Sequence, residues 1–179
     1  MIFFYKSSIK RFAHLVRNLV DSAIDLFQYV IFCIYISKSK KKIIISDIDN
    51  TISNTWPHIK SGNLDYLELE FIEKNVDLVK KLNEDNPVLI FLSAREHIYY
   101  FKTKKWLKKR FSKFILFTVS NPKKKIKYIN HKNFNRDGNF FIDDLSHNHE
   151  NGEVKFYDDL IAYALNANFK YYGYDRLKK

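Results

Sequence analysis

The stretch IIISDIDNT, residues 43–51, combines a short run of β-branched residues with two acids. Three consecutive isoleucines are typical of a strand that is buried on both faces of a sheet. Asp47 and Asp49 follow at once and are separated by a single residue, so in extended chain both side chains point the same way. The stretch therefore predicts a central strand that ends in two convergent carboxylates.

Strand-like and helix-like segments alternate after this stretch. Further strands are predicted at 88–92, 114–119, 139–142 and, at an edge, 169–172. Helices are predicted around Ile72 to Val79 and at 95–110, 125–130 and 158–165. Strands separated by helices form βαβ units with right-handed crossovers. We therefore expect residues 38–179 to form one α/β domain, a three-layer α/β/α sandwich around a mainly parallel, Rossmann-like sheet.

Polar side chains follow the predicted strands at the points where they end. Ser93 and Arg95 come after the second strand, and Asp143 and Asp144 come after the fourth. Ligands of an open parallel sheet bind beyond the carboxyl ends of its strands, so these acids should meet Asp47 and Asp49 there. Close carboxylates raise one another's pKa unless a cation is present, and Mg²⁺ prefers such all-oxygen sites. The predicted cofactor is Mg²⁺, with the four aspartates as its site.

The same side chains offer the groups that phosphoryl transfer needs. The Asp47 carboxylate could attack phosphorus, while Asp49 could protonate the leaving oxygen and then take a proton from water. Thr51 and Ser93 are candidate phosphate-binding hydroxyls. Turns with helix-capping acids, or a solvated loop, are the alternative interpretation of the acid pairs.

A cation is also needed to hold the transferring phosphate. Lys125 is the preferred candidate in the run Lys123 to Lys125, and Lys123 is the next choice. Arg95 is close enough in sequence to Ser93 to reach a phosphate, although it could instead pair with Glu96.

Four motifs in this order resemble the haloacid dehalogenase-like superfamily of phosphatases and phosphotransferases. They are DIDNT at 47–51, LIFLS at 89–93, KIKYI at 125–129 and FFIDD at 140–144, and the resemblance covers about residues 42–161. It implies that Asp47 is the nucleophile and Asp49 the general acid/base. It further implies that Asp47, Asp143 and the carbonyl of residue 49 bind Mg²⁺ directly, with Asp144 acting through water or as an orienting group.

The segments in which that superfamily carries a cap domain are short in this chain. An open, capless site resembles the branches that act on proteins, nucleic-acid ends, lipids or other large substrates. The loop 53–63, with Trp56, Pro57 and His58, would lie over the entrance or pack on the sheet. His147 and His149 form a weak zinc signal, and their loop is expected to shape the rim beside Asp144.

Residues 1–37 predict a separate amphipathic helix. Apolar residues recur at helical spacing from Phe12 to Ile34, whereas Asp21, Asp25 and Gln28 lie on the opposite side. The strongly apolar part, 26–36, is too short to span a bilayer, so the helix is expected to lie in a membrane interface, contact a partner subunit or pack on the domain.

Charge and cysteine content bound the partners. A net charge of +11 favours anionic partners, and the single cysteine, Cys33, excludes an internal disulfide and indicates a reducing, cytoplasmic setting. Nucleic acid is disfavoured because no recognised binding motif is present.

The leading hypothesis is a Mg²⁺-dependent phosphohydrolase that works through an aspartyl-phosphate on a large or surface-exposed phosphorylated substrate. One alternative is a membrane-associated phosphatase or phosphotransferase acting on a glycan or lipid intermediate, attached peripherally at the inner face of a membrane. Another is a non-catalytic, basic nucleic-acid-binding or scaffold protein.

Overall fold

The computed structural model of the chain describes residues 2–62, 64–85, 87–149 and 152–178, with side chains from residue 11 onward. The strands are β1 (Ile43–Ser46), β2 (Val88–Ser93), β3 (Ile115–Thr118), β4 (Phe140–Ile142), β5 (Ser146–His147), β6 (Lys155–Phe156) and β7 (Lys170–Tyr172). The helices are α1 (Ile2–Lys38), α2 (Trp56–Lys60), α3 (Glu73–Leu82), α4 (Tyr100–Leu107), α5 (Ile126–Ile129), α6 (Asp158–Asn166) and α7 (Tyr174–Lys178). Two 3₁₀ turns, His97–Tyr99 and Pro122–Lys125, precede α4 and α5.

Five strands form one parallel sheet in the order β3-β2-β1-β4-β7. The α/β class and the parallel sheet are confirmed, whereas the three-layer arrangement stays a prediction. β1 lies at the centre, and Ile43 and Ile45 face one apolar cluster while Ile44 faces another. Burial on both faces explains why β1 reads as a continuous apolar run rather than an alternating one.

Most predicted segments are present to within a few residues, whereas β5, β6, α2 and α7 were not predicted. The hairpin of β5 and β6 pairs only two residues on each strand, and α2 lies inside the predicted loop 53–63. β5 and β6 contain no apolar run like those that mark the strands of the parallel sheet, and α2 is barely longer than one helical turn.

The predicted N-terminal helix is present as α1, and the side that faces the domain carries both polar and apolar residues. Asp25 is buried and Gln28 is half-buried against the end of β3, and Phe32 and Ile36 have no exposed surface. Ten large apolar side chains instead face away from the domain, and we call them the outward face. They are Phe12, Leu15, Val16, Leu19, Val20, Leu26, Phe27, Val30, Ile31 and Ile34.

Candidate active site

Three of the four predicted aspartates meet at the carboxyl edge of the sheet. Asp47 follows β1, and Asp143 and Asp144 follow the neighbouring strand β4. One carboxylate oxygen from each of the three lies within 4.8 Å of the others, and all three side chains are buried. Among the described residues they are the one group of acids, histidines or cysteines close enough to share a metal ion.

Lys125 is the lysine that reaches this cluster. Its Nζ lies 2.8 Å from Oδ1 of Asp47 and 2.8 Å from Oδ2 of Asp143, and its side chain is only 5% exposed. The contact with Asp47 has the distance of an ion pair but not the geometry of a hydrogen bond. The other two lysines of the run lie outside the cluster, since Lys123 is exposed and Lys124 pairs with Asp25 at 2.6 Å.

Burial makes it unfavourable for the carboxyl groups of this site to be ionised. It raises the pKa of Asp47 to about 7 despite the opposing charge of Lys125, and it raises the pKa of Asp144 to about 6. The pKa of Asp143 is also raised, again chiefly by burial. Three carboxylates thus share one ammonium, and when all are ionised a second cation is needed to balance them.

The fourth aspartate, Asp49, belongs to a separate ion pair. Its carboxylate accepts hydrogen bonds from Arg95 Nε, at 3.1 and 3.0 Å to its two oxygens, and from Arg95 Nη2 at 2.8 Å. Thr55 Oγ1 donates a further bond at 2.6 Å. Burial by itself would raise the pKa of Asp49, but the charge and hydrogen bonds of Arg95 outweigh it and hold that pKa below its ordinary value. Asp49 is therefore an anion bound to arginine.

Arg95 is fully engaged in this arrangement. Its side chain is 1% exposed, donates to Ser53 and Thr103 as well as to Asp49, and lies over the ring of Tyr66 at 4.5 Å. It pairs with Asp49 rather than with Glu96, which binds Arg17 of α1 at 2.7 Å. The guanidinium is consequently unavailable to a phosphate in this conformation.

The two predicted hydroxyls support the backbone and the acids. Ser93 is completely buried; its Oγ donates to Asp49 at 3.3 Å and accepts from the Arg95 amide at 3.2 Å. Thr51 is also completely buried, and its Oγ1 accepts a hydrogen bond from the backbone amide of Asp144. Thr51 therefore connects the loop after β1 to the loop after β4.

The rim contains residues that the sequence did not single out. Ser146 donates a hydrogen bond to Asp144 and lies 2.6 Å from Nε2 of His149, while Tyr157 lines the same cavity as the acids. His149 lies beside Asp144, as predicted for a rim loop, and the ring of Trp56 is 6.3 Å away. Ser146 and Tyr157 come from a short hairpin and a helix start, where no spacing pattern marks them.

The cavity at the acids is small, with a volume of about 120 Å³. All four predicted aspartates and Lys125 line it, and Asn50 enters it from a left-handed turn with φ of 55°. That turn carries the chain away from the strand directly after the two acids.

Comparison with known proteins finds no family model that matches the chain, no similar curated protein and no similar solved structure. Any assignment of function consequently depends on the geometry of the site and on the four motifs.

Proposed function

We propose that this chain is a Mg²⁺-dependent phosphohydrolase of the haloacid dehalogenase-like type, with Asp47 as its nucleophile. The observation that carries the proposal is the convergence of Asp47, Asp143, Asp144 and Lys125 at one edge of the sheet. These side chains come from three separate sequence motifs. If the acids only capped helices or lay in a solvated loop, three carboxylates and a lysine would not be expected to meet at one point.

The donor set fits a hard divalent cation. Asp47, Asp143 and Asp144 supply oxygen ligands, as Mg²⁺ prefers, and burial, the chief cause of their raised pKa values, disfavours their charged forms unless a cation is bound. When bound, Mg²⁺ would neutralise these carboxylates and the phosphate oxygens as a Lewis acid.

The chain's own residues then account for the covalent step. A carboxylate oxygen of Asp47 attacks phosphorus, an acyl-phosphate O–P bond forms, and the bond from phosphorus to the leaving oxygen breaks. Water next attacks the same phosphorus and gives a proton to Asp49, and the O–P bond to Asp47 breaks, which releases phosphate and restores the carboxylate. Lys125, fixed between Asp47 and Asp143, supplies positive charge where the transferring oxygens accumulate negative charge.

The leaving oxygen also needs a proton. Asp49 is implied for this role by the family resemblance, but beside Arg95 it is ionised and has no proton to give. Its action as general acid therefore requires its carboxylate to leave Arg95 and become protonated during turnover.

The shape of the site favours a large or surface-exposed substrate. We propose a three-layer α/β/α domain without a cap, because the two segments that could hold one contain only α2 and α3, or α4 and β3. A cavity of about 120 Å³ accommodates a phosphoryl group, so the remainder of the substrate would lie outside it.

The test compares Asp47→Asn with the wild-type chain on p-nitrophenyl phosphate, with Mg²⁺ and with EDTA. We expect Mg²⁺-dependent release of p-nitrophenol by the wild type and its loss in the variant. Asp77→Asn, on the exposed side of α3, is the matched control and should keep full activity. Full activity of Asp47→Asn would refute the assignment of the nucleophile.

A second candidate function keeps the same site and places the substrate at a membrane, as a glycan or lipid phosphate. The exposed apolar outward face of α1 favours it. Activity on phosphate carried in vesicles that exceeds activity on the same headgroup in solution would support this candidate. Salt-sensitive binding to RNA or DNA without any Mg²⁺-dependent hydrolysis would support the non-catalytic alternative instead.

A further inference from the structure

The outward face of α1 is a wide apolar surface that the domain leaves uncovered. At 100° per residue, its ten side chains fall within an arc of about 160° and extend along about 33 Å of helix. Each of these residues keeps between 40% and 68% of its surface exposed. Isolated exposed apolar residues are normal, whereas a continuous stripe of this length marks an interaction surface.

Specific polar contacts fix α1 in this orientation. Asp25 binds Lys124, accepts hydrogen bonds from the amide and hydroxyl of Ser120, and lies 3.3 Å from His97. Gln28 exchanges hydrogen bonds with the amide and hydroxyl of Thr118. Because these groups lie on the side opposite to the outward face, the apolar residues cannot turn inward without breaking the contacts.

The same contacts argue against a helix that crosses the membrane. By length and composition α1 could cross a bilayer, since Arg11–Lys38 has 28 residues and contains an 18-residue window with a mean hydropathy of 1.7. Asp25 lies midway along that segment, and its partners Ser120 and Lys124 belong to the domain. If α1 crossed the membrane, either these polar groups would be buried in the hydrocarbon or the contacts of Asp25 with the domain would be broken. A helix lying in the plane of the interface keeps them all on the water side.

A groove beside the outward face adds complementary charge. It has a volume of about 1170 Å³, and Ile31, Ile34 and Tyr35 of α1 form one wall. Six lysines line it, namely Lys38, Lys40, Lys41, Lys104, Lys108 and Lys113, and the described residues around it include no acid. Lysines beside an apolar helix face match the headgroups of anionic lipids above an acyl layer.

We propose that the outward face of α1 and this lysine groove together form a docking surface for an anionic lipid bilayer, with α1 lying in the plane of the interface. The arc of about 160° is broader than the narrow seam that a coiled coil between two copies uses. The groove lies where β1, β2 and β3 begin, at the opposite end of the sheet from the acids, so lipid binding is separable from hydrolysis.

The test is co-sedimentation of the full-length protein with phosphatidylcholine vesicles that contain or lack phosphatidylserine. We expect binding to the anionic vesicles, and weaker binding as ionic strength rises from about 0.1 M to about 1 M and the Debye length falls from about 10 Å to about 3 Å. Equal binding to both kinds of vesicle, or none to either, would overturn the proposal.

Two pairs of substitutions separate the apolar and the charged contributions. Leu19→Gln with Leu26→Gln should weaken vesicle binding about tenfold for each leucine, whereas Leu165→Gln, on an equally exposed leucine of α6, should not.

Lys104→Gln with Lys108→Gln should weaken vesicle binding about fivefold for each charge, whereas the same change at Lys80 and Lys81 of α3 should have less effect. Thermal unfolding of each variant verifies that it is folded.

Sedimentation velocity without lipid distinguishes a second copy of the chain. The proposal would be overturned if the protein does not bind anionic vesicles and forms a dimer that the double substitution Leu19→Gln with Leu26→Gln dissociates. The outward face would then be a surface for self-association. A monomer that binds anionic vesicles supports it.

Discussion

Replacing Asp144 by asparagine should make the metal-free protein more stable. Burial raises the pKa of Asp144 from 3.8 to about 6, so its ionised form is less favourable in the folded protein than in the unfolded chain. A difference of roughly 2 pKa units corresponds to roughly 3 kcal/mol. Asparagine has the same shape, carries no charge and can still accept the hydrogen bond from Ser146.

The sign of the pH dependence follows from this shift. Because the folded protein holds the Asp144 proton more tightly than the unfolded chain, the stability of the wild type falls as pH rises from about 4 to about 6. At pH 8 Asp144 is ionised and the folded wild type carries the full destabilisation. The advantage of the asparagine variant should therefore be greatest at pH 8 and fall to roughly half by pH 5.

Thermal unfolding in EDTA measures the difference directly. Roughly 3 kcal/mol corresponds to a rise in Tm of roughly 6–12 °C for a chain of this size. Mg²⁺ should stabilise the wild type, by about 2.7 kcal/mol at a hundred times its Kd, and stabilise Asp144→Asn less. Asp77→Asn is the control and should behave as the wild type. A Tm of Asp144→Asn at or below that of the wild type at pH 8 in EDTA would refute the reasoning.

Three further outcomes are expected. Lys125→Met leaves Asp47 and Asp143 buried without their cation and should lower the free energy of unfolding by roughly 3–5 kcal/mol at pH 8 in urea titrations, an effect that acid should reduce. Phe32→Ala should cost roughly 3–5 kcal/mol because Phe32 is completely buried, whereas Phe12→Ala, 68% exposed, should change stability by less than about 0.5 kcal/mol. The affinity for Mg²⁺ in titration calorimetry should fall below pH 7, because Asp47, with a pKa of about 7, must lose its proton to bind the ion.

The meeting of Asp47 with Asp143 and Asp144 could be predicted because it follows from topology. Parallel strands bring their carboxyl ends to one edge of the sheet. Residues that directly follow β1 and β4 are therefore neighbours whatever conformation their side chains adopt. The preference for Lys125 over Lys123 depended only on spacing ahead of α5, and the structure places Lys125 at the acids.

The partner of Asp49 could not be read from the sequence in the same way. Its spacing to Asp47 favours a shared site, and Asp49 does line the same cavity, but Arg95 and Thr55 hold its carboxylate outside the cluster of the other three aspartates. Which hydrogen bonds form depends on side-chain conformations in three separate segments. Sequence spacing carries no information on that competition.

The orientation of α1 was open for a similar reason. Helical periodicity identifies an apolar side and a polar side, and packing usually buries the apolar one. Here Asp25 contacts Lys124, Ser120 and His97, all far away in sequence, and the side of α1 that docks combines this polar group with the buried Phe32 and Ile36.

The bond between Asp25 and Lys124 joins residues that are 99 positions apart, which has a consequence for the nascent chain. A ribosome adds about 5–20 residues each second, so α1 waits roughly 5–20 s before its docking partners have been synthesised. Throughout that interval the helix is apolar on one side and unpaired on the other. A chaperone or a lipid surface that binds α1 during translation would therefore bind it before the sheet has formed.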